Sequence, residues 1–224
     1  MMRELFKFLK ELRENNNREW FNENKPRYEV LHKKHIATVQ QLIGRIATFD
    51  PEIAGLEAKA CIYRIYRDIR FSQDKTPYKS HFGAYMTGFG GRTSPYSGYY
   101  LHIEPDNSFV SGGVWCPSPA MLKKLRHDIY DNIDEFVAIL EDRKFKKIYG
   151  ELEGDVLRRM PDGFPKDCPY EDILKHKYFV VSSMKSEAFF YSEDWLEKVT
   201  EDFRVLHPFN KFLNYTMGEF FGKI

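Results

Sequence analysis

The chain changes character at residues 61–79, which read CIYRIYRDIRFSQDKTPYK. Up to residue 71, small or apolar side chains recur at every second position, with Arg67 as the exception. A period of two residues is typical of a β-strand with one buried face. Turn-forming residues follow at 72–77, and Tyr78 begins a return strand. The pattern therefore predicts a hairpin whose first strand carries an apolar row and a polar row.

The two faces of this predicted strand differ in chemistry. The row expected to face the core consists of Cys61, Tyr63, Ile65, Ile69 and Phe71. The opposite row consists of Arg64, Tyr66, Asp68 and Arg70. Arg67 falls on the apolar side, where burial would require a carboxylate or several carbonyl groups as partners. A β-bulge that returns Arg67 to solvent is the alternative, and the sequence leaves both open.

Positive charge is concentrated in this hairpin. Between residues 64 and 79 there are two carboxylates, Asp68 and Asp74, and five cations, Arg64, Arg67, Arg70, Lys75 and Lys79. The local charge is therefore +3, whereas the whole chain carries +1. Like charges that face each other across a strand pair are destabilising, by up to about 1 kcal/mol per pair. An anionic ligand, acidic residues from elsewhere in the fold, or solvent must offset this repulsion.

Arginine favours the first of these explanations, because its guanidinium group binds phosphate or carboxylate in a bidentate manner. We interpret the hairpin as a surface that recognises a small anionic ligand bearing phosphate or carboxylate. The candidate binding residues, including two histidines that could donate protons, are Arg64, Arg67, Asp68, Arg70, Ser72, Asp74, Lys75, Tyr78, Lys79, His81 and His102. The sequence predicts no particular nucleophile, catalytic residue or cofactor.

Two other classes of function compete with anion recognition. The first is a non-enzymatic structural or interaction protein, whose basic strand is paired internally or binds an acidic partner. The acidic segment at 193–202 is one candidate for that internal partner. The second is a nucleic-acid accessory protein, which aromatic and basic residues interleaved at 63–70 would support. The net charge of +1 disfavours a globally basic nucleic-acid binder.

Other residue patterns argue against several kinds of site. The histidines lack an HExxH motif and a neighbouring set of acidic ligands, so we predict no metal site. Gly88–Gly91 lacks phosphate-loop spacing and is interpreted as a flexible hairpin loop. The three cysteines form no CxxC pair, which favours a reducing, cytoplasmic location. No apolar run approaches the roughly 18 residues of a membrane span, and we expect no membrane association.

The flanking sequence predicts helices on both sides of the strand-rich region. Apolar residues make up 42% of the chain and aromatic residues 16%, which excludes disorder as the default. Helical spacing begins at Leu5, and Asn15–Asn17 and Pro26 mark the starts of two further helices. A middle helix begins at Ser118, and Pro208 is expected to separate two C-terminal helices. We predict a single α+β domain over 1–224, with N-terminal, middle and C-terminal helices packed against a mostly antiparallel central sheet.

Several of these motifs together resemble an uncharacterised family, domain-of-unknown-function family 2461. The resemblance is carried by NNREWF at 16–21, RIYRDIRFSQDKTPYK at 64–79, GGVW at 112–115 and GFP at 163–165. It extends over nearly the whole chain and implies one intracellular α+β domain. It implies no reaction, cofactor or catalytic residue.

Overall fold

A computed structural model describes residues 1–165 and 167–222. This described part contains ten α-helices, two short 3-10 helices and one four-stranded antiparallel sheet, which confirms the α+β prediction. The α-helices are α1 (Met2–Glu14), α2 (Arg18–Glu23), α3 (Lys25–Ile46), α4 (Ala58–Cys61), α5 (Pro119–Asp131), α6 (Ile133–Glu141), α7 (Arg143–Tyr149), α8 (Glu171–Leu174), α9 (Glu187–Tyr191) and α10 (Trp195–Phe220). The strands are β1 (Phe82–Met86), β2 (Gly98–Ile103), β3 (Ser108–Val114) and β4 (Phe179–Lys185). The 3-10 helices are Pro51–Ile53 and Gly91–Thr93.

The strands lie side by side in the order β1-β2-β3-β4, so each strand pairs with the next one along the chain. The connection from β2 to β3 is a tight turn. Asp106 takes a left-handed backbone conformation there, with φ of 64°, which aspartate tolerates better than most residues. The Ser108 hydroxyl donates to the backbone carbonyl of Glu104 at 2.7 Å and closes this turn.

The predicted strand at 61–71 is not a regular strand, and this corrects the sequence prediction. Ile62 and Tyr66 form isolated antiparallel bridges to Ala84 and Tyr78. Further backbone hydrogen bonds join Arg67 N–H to Pro77 at 2.9 Å and Lys79 N–H to Ile65 at 2.8 Å. Pro77 has no N–H group, so the ladder is interrupted opposite it. We call residues 62–80 the basic hairpin.

The alternation of faces in the basic hairpin is only partly as predicted. Ile65 is 2% exposed, whereas Arg64, Tyr66, Asp68 and Arg70 are all exposed. Phe71, which the pattern placed on the core side, is 95% exposed. It lies in the loop beyond the backbone pair at Arg67, where strand alternation no longer applies.

The described residues group into two compact units. This grouping does not test whether the chain is a single domain, which stays a prediction. The first unit comprises Met1–Thr93, Tyr100–Val110 and Met184–Glu201. The second comprises Ser94–Tyr99, Ser111–Ser183 and the chain from Asp202 onward.

The N-terminal helices of the first unit hold the basic hairpin in place. Asn17 caps α2 by accepting a hydrogen bond from Trp20 N–H at 3.0 Å, as the sequence predicts. The neighbouring Asn16 donates to the Tyr78 carbonyl at 2.9 Å and accepts from the Tyr78 N–H at 3.1 Å. The Phe21 ring stacks on the Tyr78 ring with centroids 3.9 Å apart. The return side of the hairpin is therefore bonded to α2 and its cap.

Two helix predictions need correction. The apolar spacing from Leu122 to Leu140 predicts one middle helix, but this helix is divided at Asn132. The Asn132 side chain donates to the Asp128 carbonyl at 2.9 Å and ends α5. Pro208 lies inside the single helix α10 and does not separate two helices. Buried apolar residues on both sides of this proline, including Phe203 and Phe209, keep α10 continuous through packing.

Gly113 generates the first testable prediction. Its φ is 113°, and an added Cβ atom would lie 2.1 Å from the Phe179 carbonyl oxygen on β4. Gly113→Ala should therefore lower the free energy of unfolding by roughly 2–5 kcal/mol, because backbone strain and overlap act together. Urea denaturation measures the change.

Gly44→Ala provides the matched control, because Gly44 lies in α3 with nothing within 4 Å of an added Cβ. This substitution should stabilise the protein by about 0.5–1 kcal/mol. Equal effects of the two substitutions would contradict a steric role for Gly113.

Candidate anion-binding site

Arg67 finds its counter-charge within the basic hairpin itself. Its guanidinium group donates to the carboxylate of Asp74 and to the hydroxyl of Thr76, and it lies 3.5 Å from the hydroxyl of Ser72. The hydrogen bond from Arg67 lowers the pKa of Asp74 to about 2. The side chain is 26% exposed. The half-buried Arg67 thus has the carboxylate partner that its position required.

Arg70 and Lys75 are also occupied by groups of the same loop. Arg70 forms a bidentate pair with Asp68, with Nε–Oδ1 and Nη2–Oδ2 distances of 2.9 and 2.6 Å. This pair lowers the pKa of Asp68 to about 2. Lys75 Nζ donates to the Ile69 carbonyl at 3.0 Å. Three of the predicted anion-binding cations are therefore already partnered at the tip of the hairpin.

Arg64 and Lys79 instead line a cleft of about 630 Å³ in the first unit. Small-molecule sites typically measure about 300–1,000 Å³. The residues around this cleft are His32, Ile36, Lys59, Ile62, Tyr63, Arg64, Lys79, Arg92 and Thr93. We call it the cationic cleft, because four of its described lining residues are Lys or Arg and none is acidic.

The four cations of the cleft are held differently from those at the hairpin tip. Arg92 Nη1 donates to the carbonyls of Lys59 and Ala60 at 3.1 and 3.0 Å, which anchors its side chain. Lys79 Nζ lies 5.3 Å from the centre of the Tyr63 ring. Within residues 1–165 and 167–222, no hydrogen bond or ion pair joins the side chains of Lys59, Arg64 or Lys79 to a carboxylate. Asp68 influences Arg64 only through longer-range attraction.

Mutual repulsion and burial shape the electrostatics of the cleft. Burial, and then the charge of Arg64, lower the pKa of Lys79 below its usual range. Burial likewise lowers the pKa of His32, which favours a neutral imidazole at one wall. A bound anion would favour the protonated form of Lys79 and offset this repulsion.

Sequence reasoning missed Lys59, Arg92 and His32, which come from three separate elements. The sequence predicts a flexible loop at 88–91, but its glycines allow close backbone contact. An added Cβ atom at Gly88 would lie 2.0 Å from the Glu52 carbonyl oxygen, and one at Gly91 would lie 2.6 Å from that of Ala60. This approach brings Arg92 to the end of α4. The only feature of the sequence that pointed to this part of the cleft was Arg92, which directly follows the glycine pair at 90–91.

The remaining predicted site residues lie outside the cleft lining. Tyr78 is buried against Phe21, and Ser72 belongs to the hairpin tip. The His81 and His102 rings lie together, with centroids 4.3 Å apart. Burial lowers the pKa of both histidines, that of His81 to about 4.

Glu104 lies beside these two histidines and bonds His102, and sequence reasoning missed it. Its Oε2 atom lies 3.0 Å from His102 Nε2, and His102 Nδ1 lies 2.9 Å from the Tyr100 hydroxyl. Alternation along and just beyond β2 could have revealed the set, because residues 100, 102 and 104 share one face of an extended chain.

Comparison with known proteins supports the resemblance noted from the sequence. A family model described as "Conserved hypothetical protein (DUF2461)" matches residues 4–212 of the 224. No curated protein and no solved structure matches the chain. Among the described residues, no helix has both the length and the apolar character needed to cross a bilayer.

The hairpin tip generates the second prediction. Arg67→Ala should raise the pKa of Asp74 from about 2 toward the ordinary value for aspartate, because it removes the largest cause of the depression. NMR titration of the Asp74 carboxyl group measures this shift. Arg70→Ala is the matched control and should raise the pKa of Asp68 while leaving Asp74 unchanged. An Asp74 titration that is insensitive to Arg67 would show that the pair does not persist in solution.

Proposed function

We propose, for a chain that belongs to the DUF2461 family of conserved hypothetical proteins, that the cationic cleft binds a small organic anion. The ligand class is a molecule that carries phosphate or carboxylate groups. The residues that would hold it are Lys59, Arg64, Lys79 and Arg92.

A contrast within one hairpin supports this proposal. At the tip, Arg67 and Arg70 bind Asp74 and Asp68. At the cleft, Arg64 and Lys79 have no such partner among the described residues, and Lys59 and Arg92 add two further positive charges. Clustered like charges are unfavourable unless an opposite charge or water offsets them. An anion is the ligand that such a cluster would recognise.

The other lining residues support an organic ligand over a bare inorganic ion. Ile36, Ile62 and Tyr63 line the same cleft as the cations. Sites for small molecules combine an apolar wall with a few charged or polar groups that fix the orientation of the ligand. Anchored by two carbonyls, Arg92 has further N–H groups that can bind an oxyanion.

A structural role is supported for the hairpin tip alone. Arg67, Arg70 and Lys75 are partnered there, as the internal-pairing alternative expected. We also propose a reducing, cytoplasmic location, which the free thiols of Cys61, Cys116 and Cys168 support.

The third prediction tests the cleft directly. Metal-free protein is titrated with glucose 6-phosphate, citrate and inorganic phosphate, by calorimetry and by thermal shift. At a ligand concentration 100 times Kd, the stabilisation should be about 2.7 kcal/mol. Arg64→Ala and Lys79→Ala should each weaken binding by about 10-fold or more, because a hydrogen bond to a charged group contributes about 1.5–3 kcal/mol.

Arg70→Ala is the matched control, since Arg70 is exposed and already bound to Asp68. It should bind the same ligands as the wild type does. Equal losses in the Arg64 and Arg70 variants would indicate non-specific charge attraction. Absence of binding by all three ligands would overturn the proposal, and binding of a single-stranded oligonucleotide alone, with steep salt dependence, would favour a nucleic-acid partner.

The fourth prediction concerns pH. Burial lowers the pKa of Lys79, so this lysine loses its proton earlier than an exposed lysine as the pH rises. Anion affinity should be full below this pKa and should fall as the pH rises through it. Sulfate is the appropriate probe, because its own charge stays constant over this range. Lys79→Arg should retain sulfate affinity to higher pH, whereas identical pH profiles would argue against a role for Lys79.

A further inference from the structure

We propose that His81, His102 and Glu104 form a binding site for a divalent transition metal, with Zn²⁺ as the expected ion. Each residue offers one ligand atom, and these atoms all lie within 4.8 Å of one another. His81 directly precedes β1, while His102 and Glu104 lie at the end of β2 and just beyond it. Adjacent strands thus bring the three side chains together.

The donor set fits zinc chemistry. Two imidazole nitrogens and one carboxylate oxygen form a known ligand set for catalytic Zn²⁺, in which a fourth position stays open to water or substrate. The three atoms are slightly more spread than a bound ion requires, because Zn–N and Zn–O distances are about 2.0–2.2 Å. Small rotations of these side chains would bring all three ligand atoms to bonding distance from one ion.

Partners beyond the ligands hold two of them in orientation. The Tyr100 hydroxyl bonds His102 Nδ1 at 2.9 Å, so the Nε2 atom of this histidine faces Glu104. Glu104 accepts hydrogen bonds from the Ser80 hydroxyl at 2.8 Å and from Asn107 Nδ2 at 3.0 Å. Metal-binding histidines and carboxylates characteristically have such outer partners, which fix the ligand geometry.

His81 provides the observation that favours a metal over a simple proton relay. Glu104, His102 and Tyr100 alone form a carboxylate–imidazole–phenol chain that needs no ion. His81 has no place in that chain. Among the described residues its side chain has no hydrogen-bond partner, yet it is partly buried beside the His102 ring. A bound ion would be coordinated by a ring nitrogen of His81, which takes no part in the Glu104–His102–Tyr100 chain.

Positive charges around His81 should weaken metal binding. Lys79 and Arg67 are close enough to act on it electrostatically, and Glu104 opposes them. The repulsion from these two cations should make the site weaker than a closed structural zinc site. The anion test above uses metal-free protein and different residues, so failure of either proposal leaves the other standing.

The experiment measures Zn²⁺ binding to the full metal-free chain by calorimetry and chelator competition. The wild type should bind one Zn²⁺ per chain. Tyr100→Phe should weaken binding by about 10–100-fold, which is the usual effect of losing an outer partner, and His81→Ala and Glu104→Gln should weaken it more. Co²⁺ should give the visible spectrum of a low-coordinate site in the wild type and lose it in His81→Ala.

His127→Ala is the matched histidine control, since His127 stacks on Phe164 in the second unit. It should bind Zn²⁺ as the wild type does. Among the described residues the His81 side chain makes no hydrogen bond, so its variant should fold even where the Glu104 variant does not. Circular dichroism checks this. Unchanged Zn²⁺ affinity in His81→Ala, or no stoichiometric binding by the wild type, would overturn the metal site.

Discussion

The two hydrogen bonds between the Asn16 side chain and the backbone of Tyr78 are the constraint on which the candidate sites depend. A carboxamide is needed here, because it donates to the carbonyl and accepts from the N–H at the same time. The stacked ring of Phe21 fixes the direction of the Tyr78 side chain. Together they attach an otherwise interrupted hairpin to the N-terminal helices. Lys79, the next residue along the chain, then pairs with Ile65 and reaches the cleft.

The cations of the basic hairpin differ between its two ends: those at the tip have partners within the loop, whereas among the described residues those at the base have no carboxylate partner. At the tip, short-range neighbours satisfy each cation: Asp68 is two residues from Arg70, and Asp74 is seven from Arg67. These pairs are largely exposed and contribute little to stability, but they fix the shape of the loop. At the base, the cations come from different elements, and no carboxylate lines the cleft among its described residues. Local pairing thus leaves an unbalanced charge cluster at the opposite end.

The sequence predicted the features whose causes are local. The Asn17 cap and the Pro26 helix start each follow from a few neighbouring residues. Predictions were wrong where a distant or competing interaction determines the local structure. The segment 61–71, expected as a regular strand, makes only two isolated bridges among the described residues. Helix α10 runs through Pro208 because apolar packing on both sides outweighs one lost hydrogen bond. Lys59 and Arg92 could not be assigned to the cleft, because only folding brings α4 and the glycine loop together.

The three residues that follow Tyr78 connect both candidate sites. Lys79 lines the cationic cleft, Ser80 bonds Glu104, and His81 packs against His102. A displacement of this segment would move a cleft cation, an outer partner of the carboxylate and one histidine at once. Binding and metal sites need their side chains held by rigid surroundings, since small misplacements cost affinity. The attachment of Tyr78 to Asn16 and Phe21 supplies that rigidity, which gives a physical reason for the motifs at 16–21 and 64–79 to occur in one chain.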